Sequence, residues 1–133
     1  MNKNVEGFLN SKNNEDFKIG IGRAIRSIEA EIAEFVLRAD KIIRLIKKRN
    51  NFFDDEKKME YFAIEIEKAK TAKELKRVSI QSAISTLNIL VNPQILETDY
   101  APFRFEAAGA AGESSRASLV FEMKEIYSVN YNR

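Results

Sequence analysis

Apolar residues recur through residues 17–50 at alternating spacings of four and three: Ile21, Ile25, Ile28, Ile32, Phe35, Ala39, Ile42 and Ile46. That rhythm turns one stripe of a helix toward a partner, and it predicts the seam of a coiled coil or of a long helical hairpin. Val36, Ile43 and Leu45 widen the stripe in its second half, so that end calls for broader cover than one facing helix gives. Gly20 and Gly22 are poor helix-interior residues and put the expected start near Gly22. Glu29, Glu31 and Glu34 come before Arg38, Lys41, Arg44, Lys47, Lys48 and Arg49, an order that suits the helix dipole, although Arg23 and Arg26 run against it.

Asn50 to Phe53 read as a turn, and Asp54, Asp55 and Glu56 supply a cap and an acidic first turn for a second helix. Met59, Phe62, Ile66 and Ala69 repeat the heptad spacing; Lys73 and Lys76 then interrupt it. Ala72 and Leu75 offer an apolar path across the gap to Ile80, Ala83, Leu87 and Leu90, which predicts a stutter in one long helix. Thr71 followed by Glu74 forms a capping box and would instead start a third helix. No Gly or Pro stands there, so one continuous helix is expected, closed by Asn92 before Pro93. Folding the helices back about residue 52 would set Glu34 level with Lys70, Glu31 with Lys73, Glu29 with Lys76, Arg44 with Glu60, Lys48 with Glu56, and Arg38 with Glu65 or Glu67. Such exposed pairs fix register and antiparallel direction more than stability.

Beyond Pro93 the period changes. Tyr100 to Glu106 alternate, Ala107 to Arg116 form a loop of small residues, and Leu119, Phe121 and Met123 alternate with Val120, Glu122 and Lys124. Two strands joined by a long loop are expected, with a helix over 118–127 as the alternative. A two-stranded ribbon is marginal by itself and needs a sheet or another layer to lie on. The chain therefore divides into a polar tail (1–16), a helical hairpin (17–92) and an extended arm or β-ribbon (93–133) with its Ala/Gly loop at 107–116, a mainly α fold.

One feature breaks the charge pattern. From Val78 to Leu96 no residue is charged, in a chain of which 32% is Asp, Glu, Lys or Arg. The outward positions of that stretch carry Ser79, Gln81, Ser82, Ser85, Thr86 and Asn88, side chains that accept burial when hydrogen-bonded, where Lys and Glu do not. Cover is expected over this half of the helix, from the ribbon of the same chain or from another subunit.

Composition removes much of the usual chemistry. There is no Cys and no His, so disulfides, thiol nucleophiles, His-assisted hydrolysis and the ordinary zinc and di-iron sites cannot be built. The acidic residues sit at helix-surface spacing opposite bases, which argues against a catalytic carboxylate pair. Gly20-Ile21-Gly22 follows no strand, and the Gly109 to Gly112 spacing lacks the basic residues of a nucleic-acid loop. Twenty-two basic against 20 acidic residues give a net charge of +2, too little for a strong field toward nucleic acid or membrane. The first residues lack the apolar run of a signal peptide and no stretch is long and apolar enough to span a bilayer, so a cytoplasmic or particle-borne protein is expected.

These observations point to a non-enzymatic structural or assembly subunit with no cofactor, no metal and no small-molecule substrate, whose partners are copies of itself or other protein subunits. The expected interface comprises Ser79, Ser82, Ser85 and Thr86 on the uncharged helix, Ile43 and Leu45 on the wide stripe, and Phe103, Phe105, Phe121 and Tyr127 on the arm. A hairpin with an extended arm has the shape of subunits in virions, phage connectors and secretion machines, an analogy of form only. Two alternatives are a nucleic-acid-associated helical protein using Lys41, Arg44, Lys47, Lys48 and Arg49, and a small helical chaperone or adaptor.

Overall fold

The computed structural model describes residues 14–92, 101–108 and 116–122. Two long helices, α1 (Asn14–Asn50) and α2 (Glu56–Val91), form an antiparallel hairpin. A two-stranded antiparallel ribbon, β1 (Phe103–Ala108) and β2 (Arg116–Phe121), lies against its open end. Among the described residues no helix is long and apolar enough to cross a membrane.

The seam of α1 is as the spacing predicts, with Ile28, Ile32, Phe35, Ala39 and Ile42 buried. The start is not. The helix begins at Asn14, so residues 14–16 belong to it rather than to a tail, and Gly20 and Gly22 lie in its interior. Ile21, Ala24 and Ile25 pack against the core, and that tertiary contact outweighs the glycines' low propensity. At the turn, the Asp55 carboxylate accepts a hydrogen bond from the Lys58 backbone N–H at 3.1 Å and caps α2. The Phe52 ring stacks on Phe62 at 5.7 Å and carries the Lys58 ammonium 4.5 Å above it.

α2 runs unbroken, so Thr71 starts no third helix; its hydroxyl donates to the Glu67 carbonyl one turn back. The apolar face does not detour through Leu75 at the lysines: Met59, Phe62, Ile66, Ala69, Lys73, Lys76 and Ile80 keep a single three-four spacing, with the two lysines standing on the seam. The register shifts only beyond Ile80, where Ile84, Leu87 and Val91 are the buried positions. Lys73 lays its ammonium 5.4 Å from the Phe35 ring centre, and Lys76 is only 17% exposed while its ammonium reaches Glu34 at 2.7 Å and Glu31 at 3.9 Å. Both bury their methylene stems and deliver their charge to the edge of the interface. Leu75, expected to bridge the gap, is 67% exposed instead. Pairing of Glu31 and Glu34 with Lys76 sets the hairpin about one helical turn away from the register expected from the charges, because the seam's apolar contacts, not exposed ion pairs, decide the register.

The ribbon pairs Phe103 with Phe121 through to Ala108 with Arg116. β1 lies against α2 and β2 against α1. Phe103 and Phe121 stack at 4.4 Å, and Phe105 meets Phe35 edge-on at 5.2 Å. A buried cluster of Ile28, Ile32, Phe35, Ile80, Ile84, Leu87, Val91 and Phe103 results, joined by the half-buried Phe105, Ala117 and Leu119. Residues 118–121 are strand and not helix. The small-residue loop is shorter than expected, since Ala107, Ala108 and Arg116 are paired in the ladder. The tail before Asn14, residues 93–100, the remainder of the loop and the run containing Tyr127 lie outside the described residues.

Candidate interaction face

The uncharged stretch of α2 is divided between two surroundings. Its inner side is covered by its own chain: Ile80, Ile84, Leu87, Asn88 and Val91 are buried under α1 and the ribbon. Its outer side is not: Ser79, Gln81, Ser82, Ser85 and Thr86 are exposed. The ribbon therefore supplies half of the expected cover and stops short of the serines.

Asn88, which the sequence places among the outward polar positions, does something else. It is 6% exposed, and its amide donates to the Phe103 carbonyl at 3.1 Å while its Oδ1 accepts from the Phe103 N–H at 2.9 Å. The side chain thus takes the place of a neighbouring strand at the start of β1. Since the Phe103 backbone groups point to Asn88, they point away from β2, and the same holds by alternation for Phe105 and Ala107. A helical Asn five residues before Pro93 gives no sequence signal for this role beyond its position on a face that is otherwise apolar.

The exposed side of α2 has a pattern of its own. Tyr61, Ile64, Lys68, Thr71, Leu75, Val78, Ser82, Ser85 and Ile89 recur at spacings of three and four, two residues out of step with the inner seam and so on nearly the opposite side of the helix. Tyr61, Ile64, Leu75 and Val78 are each more than half exposed. This second stripe was legible in the sequence but is masked by the stronger inner one, since a helix apolar on two faces loses its amphipathic contrast. The hydroxyls beside the stripe are already engaged within the chain, Ser79 donating to Glu31 at 3.2 Å and Thr86 to the Ser82 carbonyl at 3.2 Å. Such side chains accept desolvation without leaving a donor stranded.

The other expected interface residues are scattered. Ile43 and Leu45 are half-buried near the turn end, Phe103 is committed to the chain's own core, Phe105 is half-buried on Phe35, and Phe121 is 39% exposed on the outer end of the ribbon. Of the basic residues, Lys41, Arg44, Lys47 and Lys48 are exposed and Arg49 half-buried. Among the described residues no ion pair joins these five to acidic residues of α2, so the expected pairs of Arg44 with Glu60 and Lys48 with Glu56 do not form.

Titration behaviour follows the surface ion pairs. The hydrogen bond and charge of Lys76 hold the Glu34 carboxyl below its ordinary value. Arg77 does the same for Glu74 through hydrogen bonds at 2.9 and 3.0 Å from its Nε, and Glu74 in turn raises the guanidinium. A shallow groove of about 200 Å³ between the helices is lined by Arg38, Lys41, Glu65, Lys68, Ala69 and Ala72, smaller than the clefts that enclose drug-sized ligands. No cluster of three or more acidic residues placed to hold a metal ion occurs among the described residues. Comparison of the chain with protein-family models, with curated proteins and with solved structures gave no match.

Proposed function

We propose that this protein is a non-enzymatic structural or assembly subunit that works by associating with other chains. The observation that carries the reading is the outer stripe of α2: a solvated helix surface would carry Lys and Glu throughout, and this one carries Tyr61, Ile64, Leu75 and Val78 exposed and then no charge from Val78 to Val91. Exposed apolar residues aligned on one helix face, here in two pairs separated by Lys68 and Thr71, suit a protein–protein contact surface. The ribbon supports the same reading, since β1 and β2 pair only with each other among the described residues. The outward backbone groups of Phe105 and Ala107 are then available to a strand from a neighbour. Light scattering of the full chain across a concentration series tests the proposal: a mass that is a multiple of one chain is expected, and a single-chain mass throughout removes it.

One observation favours a second reading. The cluster of Lys41, Arg44, Lys47, Lys48 and Arg49 at the end of α1 lacks the cross-hairpin ion pairs that its charge would suggest. A contact with the phosphate backbone of nucleic acid would use such a cluster. Replacing Lys47, Lys48 and Arg49 by Ala should then weaken binding and flatten its salt dependence by about one unit of slope per lost phosphate contact. Absence of wild-type binding at low salt eliminates this alternative.

A further inference from the structure

We infer that the outer stripe of α2 pairs with the same stripe of a second copy, antiparallel, about a two-fold axis passing between Ser82 and Ser85. This rests on the assembly reading and commits it to one partner and one geometry. The stripe is heptad-spaced from Tyr61 to Ile89, a spacing that fits a helix in preference to an extended segment. The charge pattern then selects which helix. The outer face of α1 carries Arg23, Arg26, Lys41 and Arg44 around Ala30, Ala33 and Leu37, all exposed; laying Ser82 and Ser85 on it would strip those cations of water with no acid in return. No other stretch of the sequence lacks charge for as long as Val78 to Leu96, so the described surface that best matches the uncharged half of α2 is the same half of another copy.

Direction follows from the same bookkeeping of charge. A parallel, in-register pair would set Lys68 on Lys68 at the centre of the seam. An antiparallel pair centred between Ser82 and Ser85 sets Val78 against Ile89 of the second copy and Ser82 against Ser85. Arg77, already paired with Glu74, then falls opposite Leu90 in the last turn of the other helix, where no residue is charged. Small side chains at the axis let the two backbones approach closely, and the exposed Val78 and the half-buried Ile89 close the contact at each end. At 1.5 Å per residue the stretch from Lys76 to Val91, which faces its own copy about that axis, gives a contact roughly 24 Å long and about 10 Å wide. That is below the usual size of a stable interface, so the dimer dissociates in the micromolar range.

The full chain tests this without interference, because it contains no Cys. Val78→Cys and Ile89→Cys chains are prepared separately, then oxidised alone and as an equal mixture. The antiparallel pair predicts a disulfide-linked dimer in the mixture and little in either alone; cross-linking of Val78→Cys with itself and none in the mixture overturns the geometry. Ser85→Arg, at an exposed position, should leave the circular dichroism spectrum and melting unchanged while raising the dissociation constant about a hundredfold or more, as an unpaired buried charge requires. A chain that oligomerises yet shows neither the mixed cross-link nor sensitivity to Ser85→Arg overturns this inference and leaves the assembly reading intact. A wild-type chain monomeric to roughly millimolar concentration sinks both. A monomer that dimerises once residues 123–133 are removed assigns the face to the chain's own end, and overturns it as well.

Discussion

At the open end of the hairpin Ile28, Ile32 and Phe35 meet Ile80, Ile84, Leu87 and Val91 beneath Phe103 and the half-buried Phe105 and Leu119. At the turn end the described chain gives Ile42, Ile43, Leu45 and Ile46 only the facing helix to lie against. The difference shows in burial: Ile80 and Leu87 are 0% and 1% exposed and Ile42 is 9%, while Ile43, Leu45 and Ile46 are half-buried. A seam between two helices dries the positions on its axis and leaves the flanking ones wet. Axial positions go dry without further cover, as Ile66 does at 3% exposed; a broader dry core takes a third layer, and here that layer is two short strands placed at one end.

Several substitutions can break or sharpen this contrast. The largest loss is expected for Phe35→Ala, which removes a side chain that meets both Phe105 and the Lys73 ammonium, at a cost of about 3 to 5 kcal/mol. Ile46→Ala at the turn end should cost about 1 to 2 kcal/mol, because less surface leaves water there. Urea unfolding of both variants checks the pair, and equal losses would show that the two ends are packed alike. Asn88→Ala comes next. It strands the buried N–H and C=O of Phe103 and should cost about 1 to 3 kcal/mol, with Asn88→Asp failing to rescue because a carboxylate cannot donate to the carbonyl.

In the opposite direction, Gly22→Ala should stabilise the chain by about 1 kcal/mol. A methyl group there would meet only the end of the flexible Arg26 side chain at 3.6 Å, so a loss of stability would mean that the first turns of α1 are not helical. The smallest effect belongs to Glu34. Its pKa is lowered in the folded chain by Lys76, so its contribution is present above the ordinary glutamate pKa and disappears as pH falls through the lowered one. Stability of wild type relative to Glu34→Gln should converge toward acid pH and in high salt, and a difference that grows toward acid would reverse the assigned sign.

The inner seam, the capping Asp55, the turn and the change of period after Pro93 were all legible, because each is written in spacing or in local turn chemistry. The register of the hairpin was not. Charges suggested one alignment, and Lys73 and Lys76, read as interruptions, turned out to be seam residues whose stems are apolar and whose ends reach Phe35, Glu31 and Glu34. A binary apolar and polar alphabet assigns a lysine to one class and misses that its two ends belong to different ones. The helix start was misplaced for a related reason: glycine propensity is local, and the contacts of Ile21 and Ile25 that override it are not. For the candidate face, lack of charge singled out one segment of α2, but only the packing showed which side of it is dry, and the stripe through Tyr61, Ile64, Leu75 and Val78 became visible once the inner face was accounted for.

The Asn88 clasp also ties together two parts of the chain that would otherwise open independently. Closing the hairpin takes only the short turn between α1 and α2, whereas docking the ribbon requires Phe103 to find a side chain that is correctly placed only when the last turns of α2 are helical. The Phe103 amide can therefore be no better protected from solvent exchange than those turns are. Its exchange rate is a local gauge of fraying at the end of α2, read from a residue that is not in the helix.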